Sequence, residues 1–192
     1  MGRWQPGARE RLERAALELF LERGFTETTV PQITARAGLT TRTFFRYFAD
    51  KREVLFTGEE LVPERVAHLM AQAPPSLGPM ELITEILTSS AAEILERRDL
   101  DYVLRRRAAI DAEPALRERE LRKFSLLSEA LEQGFRDRGV DDLTARLAAE
   151  VAVSTFRTAV TRWLDQHGDP DLPAMINQTL SAMRRLTSTP SA

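Results

Sequence analysis

The nine residues TTRTFFRYF at positions 40–48 bring together threonine hydroxyls, two arginines and a cluster of aromatic rings. The chemistry open to such a set is recognition. On a helix, Phe44 and Phe48 stand i and i+4 on one face, which fits a core, and Thr41, Arg42, Phe45 and Arg46 take the opposite arc. Small hydroxyls and a guanidinium at a helix start suit the major groove of DNA. Arginine can bond both major-groove acceptors of one guanine, and the free N–H groups at a helix N-terminus can hold a phosphate. Phe44 and Phe48 are therefore expected to hold a scaffold whose neighbours meet DNA.

Such a helix needs others to hold it. Leu12, Ala15, Ala16, Leu19 and Phe20 recur at spacings of three and four, which predicts a first helix over 8–23, stopped by Gly24. Thr29 with Gln32 three residues on is a capping box for a second helix over 30–37, with Pro31 in its first turn. Gly38 stops it and Thr40 caps a third helix over 41–48. Two short helices joined by a glycine-bearing turn make a helix-turn-helix, packed through Ile33, Ala37 and Leu39 and closed by Leu12, Phe20, Val54 and Leu55. Asp50 and Glu53 look like the start of a fourth helix, with a break or kink near Gly58 and Pro63.

The rest reads as helix too. A fifth helix opens at Pro79 and a sixth runs from Asp99 to Pro114. A seventh ends at Gly139, an eighth is capped by Asp141, and a ninth starts at Asp169 and Pro170 with Leu172, Met175, Ile176, Leu180, Met183 and Leu186 inward. The tail TSTPSA is expected to fray. No run alternates as a strand does. The expected fold is all-α with nine helices: a helix-turn-helix domain over 1–56 and a C-terminal helical domain over 57–192.

Charge agrees with that division. Of the net charge of −2 over 192 residues, residues 1–56 hold +3 and the remainder −5, so the basic front suits a polyanion. The absence of cysteine excludes disulfides and thiolate metal sites. No apolar run reaches the ~20 residues of a membrane span, and the N-terminus lacks the apolar stretch of a signal peptide. The expectation is a cytoplasmic protein with no membrane partner. His68 and His167 sit in no metal-binding spacing, and no phosphate-binding loop, nucleophile elbow, dinucleotide fingerprint or zinc motif occurs. No catalytic residue, cofactor or metal is expected.

The stretch TTVPQITARAGLTTRTFFRYFADKREVL, preceded by ALELFLERGF, resembles the DNA-binding domain of tetracycline-repressor (TetR) type transcription regulators over residues 8–56. The resemblance implies a homodimer whose paired recognition helices enter successive major grooves of a palindromic operator in double-stranded DNA. By position it implies that Thr29 and Thr40 cap helices and touch phosphates, that Thr41, Arg42 and Thr43 face bases, and that Tyr47 and Lys51 contact the backbone. Phe45 stands where many relatives have tyrosine, so a thymine methyl is its expected partner. Ala8 stands where many have threonine, which leaves the first helix without that cap. Arg3 is either a minor-groove arm or part of a frayed terminus.

In the back half, Leu100, Val103, Leu104 and Ile110 set the inner face of the sixth helix, and a helical wheel puts Arg107 and Asp111 within it. Either these two pair internally or with another helix, or Arg107 holds an acidic group of a ligand. RRRAAIDAEPALRERELRK and FRTAVTRWLDQHGDP resemble the C-terminal domain of mycofactocin-system regulators. That similarity implies a small-molecule effector of apolar or acyl-CoA-like type. Candidate lining residues are Leu87, Val103, Leu104 and Leu127, with Arg107 and Asp111. The small residues of the eighth helix, with Phe156, Trp163 and the ninth, suit a four-helix dimer interface over about 142–187. The function expected is a ligand-responsive repressor, with a lever at Gly58 and Pro63. The alternative is a helical protein-interaction module without effector response.

Overall fold

Residues 7–58, 61–97 and 99–187 are described by a computed structural model, and their regular structure is helical. The order is α1 (Ala8–Arg23), α2 (Val30–Ala37), α3 (Thr41–Tyr47), one 3-10 turn (Glu53–Leu55), α4 (Val62–Gln72), α5 (Pro79–Arg97), α6 (Leu100–Ala112), α7 (Pro114–Asp137), α8 (Asp142–Asp165) and α9 (Leu172–Thr187). These are the nine helices the periodicity predicts. Arg3 and the tail beyond Thr187 lie outside the described residues.

The chain forms two compact units. One takes residues up to 59 together with 101–122, and the other takes 60–100 and 123–192. The expected division at 56/57 is one of sequence; by contacts, α6 and the start of α7 group with the first unit. The cause is a shared core. Leu12, Phe20, Ile33, Phe44, Phe48, Val54 and Leu55 are buried as the pattern requires, and Ala109, Ile110 and Leu116 are buried in the same cluster. Phe56 lies under two guanidiniums, with Arg106 5.0 Å and Arg119 4.8 Å from its ring centroid. Arg106 also donates from Nε to Leu55 O at 2.8 Å and from Nη2 to Glu120 Oε2 at 3.0 Å.

That placement corrects the wheel reading of α6. Arg106 is the inward arginine, whereas the Arg107 and Asp111 side chains are 41% and 50% exposed and paired with each other at 2.5 Å. Val103 and Leu104 are only half-buried. A guanidinium can lay its flat face on an aromatic ring while its edge N–H groups bond oxygens, so Arg106 belongs to the buried face despite its charge.

The fourth helix also begins later than expected. Asp50 Oδ1 does accept the N–H groups of Arg52 (2.7 Å) and Glu53 (3.3 Å), but what it opens is the 3-10 turn. Gly58 then turns at φ +83°, a conformation that favours glycine. α4 starts only at Val62, with Pro63 in the first turn, where its missing N–H leaves no bond unmade.

In the second unit α8 packs on α9 and α5, α5 packs on α9, and α4 packs on α5. Leu82, Ile83, Ile86 and Leu87 of α5, Leu131 and Phe135 of α7, and Leu172, Met175, Ile176 and Leu180 of α9 are buried. Ala145, Ala149, Ala152 and Ala159 let neighbouring helices close onto α8. Most of the small residues of α8 are thus core within one protomer, and so is Trp163, which was read as interface. Leu186, read as inward, is 83% exposed. The cap of α9 is Asp171, whose Oδ1 accepts from Ala174 N at 2.8 Å, and not Asp169. Asp141 caps α8 as expected, accepting from Thr144 N at 3.0 Å.

Candidate DNA interface

The loop from Gly24 to Thr29 is fixed from inside. Thr28 is fully buried, and its hydroxyl lies 2.8 Å from Gly24 O and 3.3 Å from Leu19 O. Thr29 follows as the cap of α2. Its Oγ1 accepts from Gln32 N at 3.4 Å while its own N–H donates to Gln32 Oε1 at 2.8 Å, the reciprocal capping box that the pair Thr29 and Gln32 predicts. Gly38 ends α2 in the left-handed conformation, φ 63° and ψ 39°, and Leu39 N donates back to Thr34 O at 2.8 Å. Arg11, on α1, donates from Nη2 to the carbonyls of Ala37 and Gly38. A Cβ at position 38 would stand 2.9 Å from that nitrogen, the far end of a flexible side chain that could shift, so the positive φ is what favours glycine there.

Thr40 opens α3. Its Oγ1 accepts from Thr43 N at 3.2 Å and lies 3.0 Å from Thr43 Oγ1. Seven residues then make two turns with opposite surroundings. Phe44 is fully buried, with its ring 5.2 Å from Phe48, while the next residue, Phe45, is 60% exposed with its ring edge-on to Phe44 at 5.4 Å. Thr41, Arg42 and Arg46 are exposed, and Thr43 and Tyr47 are half-buried. Arg46 Nη2 donates to Tyr47 Oη at 3.0 Å and its guanidinium lies 4.8 Å from that ring centre, so the phenol keeps its own O–H to give. Arg42 makes no hydrogen bond or ion pair among the described residues.

The structure thus brings Thr29, Thr40, Thr41, Arg42, Thr43, Phe45 and Tyr47 onto α2 and α3 of one unit. Lys51 lies beyond α3 with its ammonium on the carbonyls of the α1–α2 loop. Arg11 carried no sequence signal, since its partners lie 26 and 27 positions away. Among the candidate effector residues, Leu87 is buried on α5, Leu127 is half-buried on α7, and Val103, Leu104 and the Arg107–Asp111 pair are on α6. Among the described residues no helix is long and apolar enough to cross a membrane.

The signature described as "Bacterial regulatory proteins, tetR family" matches residues 13–57, and that described as "MftR C-terminal domain" matches residues 77–187. The HTH-type transcriptional regulator TcmR of Streptomyces glaucescens is 29% identical over 175 residues, covering 87% of this chain and 77% of TcmR. Among solved structures, NalD, the secondary repressor of the MexAB-OprM multidrug efflux pump in Pseudomonas aeruginosa, superposes with a TM-score of 0.63 at 20% identity, over 93% of this chain and 95% of that one. Thermus thermophilus FadR, a repressor in complex with lauroyl-CoA, superposes with a TM-score of 0.50 at 27% identity, over 96% and 97%.

Proposed function

The chain belongs to the tetR family of bacterial regulatory proteins and has a C-terminal domain of the MftR type, and from that premise we propose a cytoplasmic repressor that binds a palindromic operator as a homodimer and leaves it when a small effector binds. The observation that carries the reading is the division of α3. Phe44 and Phe48 are sealed in the core, while Thr41, Arg42, Phe45 and Arg46 are presented outward between capped helix starts. In this reading Thr29, Thr40 and Tyr47 give hydroxyl protons to phosphates, Thr41, Arg42 and Thr43 face base edges, and Phe45 packs on a thymine methyl.

Regulators of this family bind DNA as dimers, and we assign the interface to α8 and α9. Leu143 and Leu147 are 68% and 58% exposed one turn apart on α8, and the same face continues through half-buried Val151 to exposed Ser154 and Thr158. A two-fold axis there matches a two-fold operator. The effector is assigned to the apolar second unit, which offers Leu87 and Leu127. The acyl-CoA bound by Thermus thermophilus FadR supports a long apolar ligand. On α8, Thr155 Oγ1 and Trp163 Nε1 are buried with no hydrogen-bond partner among the described residues, and a ligand oxygen would supply one.

The test is binding of the purified protein to DNA upstream of its own gene across a salt series, with and without a panel of acyl-CoAs. Tight binding that falls steeply with salt and needs both half-sites supports the regulator, and release by one panel member identifies the effector class. Sequence-indifferent binding, unmoved by any ligand, would favour a protein-interaction module instead.

A further inference from the structure

Lys51 follows the recognition helix, a place where a cation near DNA is readily taken for a phosphate contact. An ammonium has three N–H donors. Lys51 Nζ lies 2.7 Å from Phe25 O, 2.9 Å from Thr28 O and 3.3 Å from Thr26 O, and 4.2 Å from the centre of the Phe25 ring. All three donors thus meet carbonyls of one loop, and none remains for a phosphate oxygen.

What those bonds join gives them a purpose. Lys51 sits at the exit of α3, the helix that presents Thr41, Arg42 and Phe45. The carbonyls belong to the loop that delivers Thr29, the cap of α2. The loop is anchored from below by the Thr28 hydroxyl and by the Phe25 ring, 5.1 Å from that of Phe20. One side chain therefore ties the helix that faces bases to the helix start that faces a phosphate. Arg11 does the equivalent at the other end of α2, through the carbonyls of Ala37 and Gly38.

We propose that Lys51 is a positioning residue for DNA recognition. It holds the start of α2 against the exit of α3, so that phosphate-facing and base-facing groups meet one duplex in register, and it does not itself neutralise a phosphate. The assignment rests on the DNA-binding reading above.

The experiment compares full-length wild type, Lys51→Met and Lys51→Arg on two duplexes across a salt series. One duplex carries the site that the wild-type protein enriches from a random library, and the other carries the same bases scrambled. Positioning predicts that Lys51→Met loses affinity for the enriched site by roughly tenfold or more, the scale of a lost base contact. Its affinity for the scrambled duplex falls by clearly less, because only phosphate contacts are lost there, and the slope of log K against log salt stays at the wild-type value. Lys51→Arg keeps the charge but presents a flat fork, so it fails to restore the enriched-site affinity.

A phosphate contact predicts the reverse. Both duplexes would lose affinity equally, the slope would become shallower by about 0.9 for each charge removed, and arginine would rescue, a pattern that overturns the proposal. So would equal losses on both duplexes that track only the unfolded fraction seen by circular dichroism, with the slope unchanged, because the lysine would then serve stability alone. If the wild-type protein enriches no site at all, the DNA-binding reading fails and the positioning role fails with it.

Discussion

Arg119 meets Glu53 as a two-pronged pair, Nε on Oε1 at 2.8 Å and Nη2 on Oε2 at 3.0 Å, across 66 positions of sequence. The side chains are 17% and 32% exposed, so the pair is partly shielded from water. It fastens α7 to the 3-10 turn beside the ring of Phe56. Charge-assisted bonds of this kind contribute about 1.5–3 kcal/mol. Arg119→Ala and Glu53→Ala are each expected to lower unfolding free energy by about 2 kcal/mol, read by urea titration. The double variant should cost clearly less than the sum of the two, because the second change removes a partner already lost. Strict additivity would show that the pair is not coupled.

Adjacent phenylalanines of α3 are expected to behave as different residue types. Phe44→Ala empties a sealed core position and should cost about 3–5 kcal/mol. Phe45→Ala removes an exposed ring and should leave stability within about 0.5 kcal/mol while weakening operator binding. Thermal melts of both variants beside gel-shift titrations separate the two effects. A Phe45→Ala protein that melts early but binds normally would contradict the assignment of its ring to the DNA face.

The dimer face admits a test by charge. Leu147→Glu places a carboxylate where the single protomer is open to water, so the helical circular dichroism spectrum should not change. In a dimer through α8 that carboxylate would be buried without a partner, which is strongly unfavourable. Light scattering should therefore report monomer at micromolar concentration, with operator binding lost alongside. A variant that remains dimeric places the interface elsewhere.

Acid should weaken the fold partly through two aspartate caps. The Thr144 N–H, then the Thr144 side chain, hold Asp141 below its ordinary value of 3.8. Burial pushes Asp50 up, but the Arg52 side chain and the N–H groups of Arg52 and Glu53 outweigh it, and Asp50 also titrates below 3.8. The unfolded chain thus takes up these protons more readily than the folded one. Their stabilisation is complete at neutral pH, begins to fade near 3.8, and is gone once pH has fallen through the lower folded values. Asp50→Asn and Asp141→Asn keep an acceptor oxygen without the titration, so each should flatten the acid limb of melting temperature against pH. An unchanged limb would show that other carboxylates dominate it.

Residues that act on their immediate neighbours were legible in the sequence. The Thr29–Gln32 box, the Thr40 cap, the Gly38 stop and the i, i+4 pair of Phe44 and Phe48 all work within four positions, and a linear pattern records such chemistry directly. Arginines were misread because one side chain is both apolar stem and charged head. The wheel admitted Arg107 to the inner face on position, yet Arg106 makes the buried contacts, on a ring and a carbonyl about fifty positions earlier. Arg11 escaped for a related reason. Its partners are backbone carbonyls, which every residue has, so no residue type marks the other end of the bond. Trp163 shows a third limit: periodicity finds the buried faces of a helix but does not say whether its own protomer or a second copy covers them.

The core built around Phe44 and Phe56 is completed by Ala109, Ile110 and Leu116, from a segment made well after residue 58. During synthesis the helix-turn-helix therefore leaves the ribosome before the side chains that finish its packing exist. Until α6 and the start of α7 follow, Phe56 lacks both guanidiniums that cover it and Glu53 lacks Arg119. A gene fragment cut after the 3-10 turn would encode the recognition helix without this cover, and its product should expose apolar surface and aggregate more readily than the whole chain.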